Sequence, residues 1–280
     1  MHNILAVDVE DWYHPEYVKN KVRSRTEHIN RSFNIALDLI KEFDVTATFF
    51  VVGEIAERHP EILEKISENQ HEIGFHGYFH EPLWALDADA LRDEVKRFDS
   101  LISSVIGERC CGFRAPSYSL DNRTLWALDV LEEQGYVYDA SLFPVKTPLY
   151  GVLGAPITPY HPSSSNITAE DEHQRLIEFP ALVYPVMGLR IPAAGGFYLR
   201  LLPLQIFDRA IRKMNKKGFP AVLTIHPWEL DDDTPRLGLG PFKSFVTYYN
   251  LKATKRKLKS ILSRFEFVSF RDWIDKYGFA

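Results

Sequence analysis

The chain has 280 residues, 45% hydrophobic and 25% charged, which is the composition of a soluble globular protein with enough apolar mass for one large core. A formal net charge of -5 gives no general attraction for nucleic acid or an anionic membrane; the basic stretch LKATKRKLKSILSR (251–264) has the apolar spacing of a solvated helix with one buried stripe. The two cysteines, Cys110 and Cys111, are adjacent and would make only a strained mutual disulfide, which excludes a stapled secreted scaffold.

From the N-terminus, NILAVDV (3–9) is a β-branched, apolar run of strand length, and acidic residues follow too soon for the apolar core of a signal peptide. With no stretch approaching a membrane span, the sequence reads as cytoplasmic. INRSFNIALDLIKEF (29–43) has apolar positions at helical spacing, and VTATFFVVG (45–53) is a second strand. A helix is expected around 55–69, a short strand at EIGFH, and a helix at 88–106 with Leu91, Val95, Phe98 and Leu101 on one face. CGFRAP (111–116) reads as a strand, followed by a helix at 122–134 stopped by Gly135. From about 144 to 176 the rhythm fails, with prolines at 144, 148, 156, 159 and 162, as in a segment that covers a site; the cover is expected to reach about 200. Alternation resumes with RLIEFPAL, a helix near 203–217, the strand FPAVLTIH (219–226), a helix at 247–264 and a final FEFVSF. Strands alternating with helices predict one α/β domain over 1–280, barrel-like, with a mainly parallel sheet whose loops gather at the C-terminal strand ends.

Polar groups follow four of these strands: VDVED (7–11), HGYFH (76–80), FRAPS (113–117) and TIHPWE (224–229). In parallel neighbours such ends converge, so their coincidence carries more than any one of them. His76 and His80, at i and i+4, would face the same way on one helical turn and could share a divalent metal. The zincin pattern His-Glu-x-x-His fails here, because the histidine after His71-Glu72 comes at His76. Alone, such a pair serves structure as readily as ligation, and Asp8, Glu10 and Asp11 alone could be helix caps. Together they offer a His-His-carboxylate site with an open position for water and a spare carboxylate as base. His226, before Pro227, fits a core histidine or a catalytic one; Arg114 fits a structural ion pair or the orienter of a carboxylate base.

The ordered set DVED, HGYFH, RAPSYS and HPWE resembles the metal-dependent polysaccharide deacetylases of the NodB-homology type, carbohydrate esterase family 4. ATFFVVGEIAERHPE, GFRAPSYSLDNRTLWALDVLEEQGYVYDASLFPV, PAAGGFYLRLLP and HPWELDDDTPRL are similar to its exopolysaccharide-locus branch, which has an extra C-terminal region. The resemblance covers nearly the whole chain. It implies a distorted (β/α) barrel with about seven strands and a divalent metal, zinc or cobalt, held by Asp-His-His. Carried over by position, His76 and His80 are metal ligands, Asp8 is the catalytic base, Arg114 orients it, His226 is the general acid, and the Ser117 N–H helps hold the oxyanion. The family writes two adjacent aspartates first, whereas Val9 follows Asp8 here. The short side chain of Asp11 makes it the favoured ligand, with Glu10 the alternative. Gly77 also replaces the family's usual serine or threonine.

The implied reaction is hydrolysis of an acetamide on a sugar of a polysaccharide or its precursor, with an O-acetyl ester open to the same groups. Trp12, Tyr118, Phe197, Tyr198 and Trp228 lie beside the motifs and would supply flat walls for pyranose rings. The implied partners are the glycan and an exopolysaccharide synthesis or export system, at the inner membrane face. Two other outcomes remain open: the same fold acting on a ureide, cyclic imide or formamide, and an inactive glycan-binding barrel.

Overall fold

The structure, a computed structural model, describes residues 1–23 and 25–279. Its centre is β1 (Asn3–Val9), seven residues that are all buried because both faces of the strand are covered; hence its unbroken apolar reading. Alternation is nevertheless present in the packing. Leu5, Val7 and Val9 meet the surrounding helices, whereas Ile4 and Ala6 face the barrel interior.

Along the chain follow α1 (Ile29–Lys41), β2 (Thr48–Val51), α2 (Gly53–Arg58) and α3 (Pro60–Glu68). The single helix expected at 55–69 is thus two, divided at His59, where Pro60 starts a new helix instead of donating to the old one. Next are β3 (Glu72–Phe75) and α4 (Ala88–Ile106). Helix α4 begins where the Asp87 carboxylate accepts the Ala90 N–H at 2.9 Å and stops at Gly107, φ 74°. Then come β4 (Gly112–Phe113), α5 (Trp126–Glu133) and β5 (Tyr138–Asp139). The region read as a featureless cover holds an antiparallel pair, β6 (Pro162–Ser163) and β7 (Asn166–Glu170), before β8 (Ile177–Glu178). A hairpin that the sequence reading lacks, β9 (Val183–Val186) and β10 (Leu189–Pro192), leads into α6 (Gly196–Leu201). The chain continues with α7 (Leu204–Lys216), β11 (Val222–Ile225), α8 (Pro241–Tyr248), α9 (Lys252–Leu262), β12 (Phe267–Val268) and α10 (Phe270–Tyr277). The helix expected at 247–264 is therefore α9, beginning later at Lys252, and α8 before it ends at Tyr248, the two separated where Asn250 takes φ 51°.

Strands β11, β1, β2, β3, β4, β5 and β8 lie side by side in that order, all parallel, with β12 paired to the start of β1. This seven-stranded parallel half-barrel bears out the expected distorted barrel. Its interior is filled by Phe50, Tyr138, Phe179 and Phe270, with Tyr138 stacked on Phe270 at 4.7 Å between ring centroids. Gly74 makes room for this layer, since a Cβ there would lie 2.4 Å from the Phe50 ring. Gly195 is needed for another reason: φ is 132°, and a Cβ would lie 1.8 Å from the Thr224 carbonyl oxygen as the segment before α6 passes along β11. Among the described residues, no helix is long and apolar enough to cross a membrane.

Candidate metal and active site

The interior parity of the strands, continued past their C-terminal ends, selects the polar residues of the site. Along β1 the inward positions run Ile4, Ala6, Asp8 and Glu10; along β3 they run Glu72, Gly74 and His76; β4 yields Arg114, and β11 yields Thr224 and His226. Neighbouring strands bring these positions together at one end of the half-barrel.

His80 arrives by a turn. Residues 76–80 are not the helical turn that the i, i+4 spacing predicts: Gly77 (φ 69°) and His80 (φ 55°) are left-handed and bend the chain back over the strand end. The two imidazole centroids are then 5.1 Å apart, and His80 Nε2 lies 2.5 Å from Glu10 Oε2. Ligand atoms from Glu10, His76 and His80 all fall within 4.8 Å of one another, and all three residues are buried. The favoured Asp11 is not in this group. Its parity turns it away from the interior, and its carboxylate accepts N–H bonds from Trp12 and His28, each at 2.8 Å, and from Ile29 at 3.1 Å, serving the start of α1.

Several contacts prepare the cluster for an ion. The His76 Nδ1–H donates to the Arg114 carbonyl at 2.8 Å, leaving Nε2 as the ligand atom. Burial lowers the His76 pKa to about 4, so the imidazole is neutral, as a ligand must be. For Glu10, burial pushes the carboxyl up, but His80, His226 and His76 more than reverse this and hold it well below the usual carboxylate range. The Trp228 Nε1–H donates to Glu10 Oε1 at 3.0 Å, turning Oε2 toward His80. The His14 ring, 5.3 Å from that of His80, is fixed by accepting the Asp11 N–H at 2.8 Å and donating to Glu54 at 2.9 Å. Two imidazole nitrogens and one carboxylate oxygen fit a zinc-type divalent ion with open positions.

Beside this cluster stand an acidic and a basic arm. Asp8 Oδ1 accepts from Arg114 Nη1 at 2.9 Å, and Oδ2 remains 3.9 Å from His76 Nε2 and 3.7 Å from His226 Nε2. Arg114, 1% exposed, also donates to Thr224 Oγ1 at 2.9 Å and to the Ala140 carbonyl at 3.0 Å, so its fork is fully placed. His226 donates Nδ1–H to Glu229 Oε2 at 2.9 Å, and Glu229 Oε1 in turn forms an ion pair with Arg200, 3.1 Å from Nη2. Burial works to lower the His226 pKa, but Glu229, with Glu10 and Asp8, raises it to about 9. The imidazole is therefore set up to carry a proton near neutral pH.

These groups open into one cavity of about 500 Å³. Ser117, Tyr118, Phe197, Tyr198 and Trp228 line it, as the sequence reading expects. Ser117 (φ 58°) and Tyr118 (φ 47°) form a left-handed corner after β4, and the Tyr118 hydroxyl lies 3.2 Å from Thr224 Oγ1. Trp12 does not line the cavity. It packs with Tyr13 and Val18, and its Nε1–H donates to the Thr26 carbonyl at 2.8 Å. His14, Thr224, Arg200 and Glu229 are the residues that sequence reasoning left out. Thr224 is two residues before His226, so strand parity could have found it.

Known proteins resemble the chain in family and fold. Residues 27–138 match the family model described as polysaccharide deacetylase, and residues 140–275 match a domain of unknown function, DUF3473. A peptidoglycan deacetylase-like protein of Gibberella zeae is 33% identical over 184 residues, which cover 61% of this chain and 51% of that protein. The chain thus spans about half the length of that relative. A peptidoglycan deacetylase of Helicobacter pylori is 29% identical over 210 residues, 68% of this chain and 69% of its own. In fold, the chain is similar to a crystal structure from Mycobacterium smegmatis assigned as a polysaccharide deacetylase, with a TM-score of 0.61 at 21% identity, covering 99% of this chain and 91% of that one. It also resembles in fold a mutant of a CE4-family pseudoenzyme with restored enzymatic activity, the wild type being from Bacillus anthracis, with a TM-score of 0.52 at 13% identity over 98% and 68% of the two chains.

Proposed function

Since the chain carries a polysaccharide deacetylase domain of the NodB-homology, carbohydrate esterase family 4 type, with the DUF3473 region behind it, we propose that it is a metal-dependent hydrolase removing acetyl groups from amino sugars of a glycan. The observation that carries the reading is the convergence of Glu10, His76 and His80 beside an Arg114-bound Asp8 and a Glu229-bound His226. Glu10, His76 and His80 would hold the ion, zinc or cobalt. When bound, such an ion supplies Lewis-acid polarisation of the acetyl carbonyl and makes a water more acidic.

Asp8 accepts the proton of the attacking water through Oδ2, while Arg114, donating to Oδ1, holds the carboxylate turned inward. The Ser117 N–H, at the left-handed corner, stabilises the charge that develops on the acetyl oxygen. His226 gives its Nε2 proton to the leaving nitrogen as the C–N bond breaks, so acetate and a free amine result. Tyr118, Phe197, Tyr198 and Trp228 form the wall against which the sugar lies. The names of the relatives support a glycan rich in N-acetylated sugars, and the branch motifs support one made by an exopolysaccharide system.

The test is metal content and acetate release from N-acetylglucosamine oligomers for wild type and His76→Ala. Stoichiometric metal and acetate, both lost in the variant, are expected. Full metal content with no acetate from any N-acetylated glycan would contradict the reading.

A further inference from the structure

The segment AAGGFYLR places Arg200 one position from the end of α6, a helix that begins against the site: a Cβ on Gly196 would lie 3.7 Å from His226 Cε1. Arg200 is 2% exposed, and its two Nη nitrogens meet four oxygens, whereas its buried Nε–H has no partner. Three are carbonyls near the C-terminus of α8, which lack partners within that helix: Nη1 donates to Thr247 at 2.8 Å and Tyr249 at 2.9 Å, and Nη2 to Val246 at 3.2 Å. The fourth is Glu229 Oε1, at 3.1 Å from Nη2. These oxygens hold the Nη end of the guanidinium, which forms an ion pair with one oxygen of Glu229. The other oxygen then faces His226, accepting its Nδ1–H at 2.9 Å and its backbone N–H at 3.3 Å. The Nε2 edge is thereby turned into the cavity, 3.7 Å from Asp8.

We infer that Arg200 is a positioning residue for leaving-group protonation, acting through Glu229 to hold the His226 imidazole with Nε2–H toward the scissile nitrogen; this rests on the deacetylase reading above. The step it serves balances simply. The proton moves from Nε2 to nitrogen as the C–N bond breaks, the water oxygen stays on the acyl carbon, and His226 is left neutral with its Nδ1–H still on Glu229. Arg200 lies in the DUF3473 region, so that region does more than cover the barrel: it completes the acid side of the site.

The inference separates from a purely structural role by leaving group. An acetamide must be protonated to depart, whereas 4-nitrophenolate leaves 4-nitrophenyl acetate as a stable anion. In metal-loaded protein, Arg200→Met is expected to lower the amide-to-ester ratio of kcat about 100-fold, within the usual range of general acid catalysis, with KM for the amide little changed. Arg200→Lys, which keeps a cation beside Glu229, is expected to recover part of that ratio. A second measurement needs no turnover: the hydrogen-bonded Nδ1–H proton resonance of His226, identified by its loss in His226→Gln, should persist in Arg200→Lys and vanish in Arg200→Met. Equal loss of amide and ester rates in a folded Arg200→Met, or an unchanged Nδ1–H resonance, would overturn the inference. Wild type that releases no acetate while Arg200→Met still loses the resonance would uphold the positioning and refute the reaction.

Discussion

The two sides of the cavity are built by different means. On the side proposed to handle water, Asp8, Glu10, His76 and Arg114 stand on or just past the ends of strands in one continuous run of the sheet, and backbone pairing sets their spacing. On the side proposed to handle the leaving group, only His226 comes from a strand end; its orientation depends on Glu229, Arg200 and the end of α8. Position on the first side is therefore a property of the sheet, and on the second a property of a buried polar chain reaching across distant sequence. Substitutions should separate the two sides by which substrates they spare.

The largest effect is expected from Arg114→Leu, which leaves Asp8 buried and unpaired. Both ester and amide turnover should fall at least about 1,000-fold, and denaturant unfolding should show a loss of about 3–5 kcal/mol, as when one partner of a buried pair is removed. Selective loss of the amide alone would place Arg114 on the wrong side of the division. Glu229→Gln should be next, with amide kcat down about 100-fold. Its sign with pH is fixed. In the proposed mechanism His226 acts in its protonated form, Glu229 raises its pKa, and activity falls as pH rises through that pKa; removing the charge moves the alkaline limb to lower pH. An unmoved limb would mean that another group sets it.

Trp228→Phe removes the N–H that turns Glu10, and metal affinity measured by chelator competition should weaken about 10- to 100-fold, whereas Trp12→Phe should leave it unchanged. Equal weakening in both would make Trp228 a packing residue only. The smallest effect lies at the other end of the barrel. His71 has both ring nitrogens buried without partners, and burial lowers its pKa to about 4. A neutral buried histidine must gain a proton on unfolding below its ordinary value, so stability is lost as pH falls from about 6.5 toward 4. His71→Phe should flatten that part of the stability profile and leave stability at pH 8 nearly unchanged; a parallel shift at both pH values would contradict this.

The same division explains what was legible in the sequence. Strand ends announce themselves by apolar runs that stop at polar residues, so Asp8, His76, Arg114 and His226 stood out, and the order of the strands gave the half-barrel. The choice between Glu10 and Asp11 was also available, since Glu10 shares the parity of Asp8; side-chain length was the wrong criterion, because the longer carboxylate is what reaches His80 from beyond the strand. The turn at 76–80 was hidden by a spacing that a helix and a left-handed turn both satisfy. Trp12 was misplaced because nearness to a motif in sequence says nothing of which way a loop folds. Arg200 gave no local signal at all. Its partners lie at Glu229 and at residues 246–249, and only the folded chain joins them.

The most direct test is the stoichiometry of bound zinc or cobalt in purified Glu10→Gln and Asp11→Asn, read against wild type. The account predicts about one ion per chain in wild type, loss in Glu10→Gln, and full retention in Asp11→Asn with only about 1 kcal/mol of stability lost at the start of α1. Retention in Glu10→Gln together with loss in Asp11→Asn would contradict it.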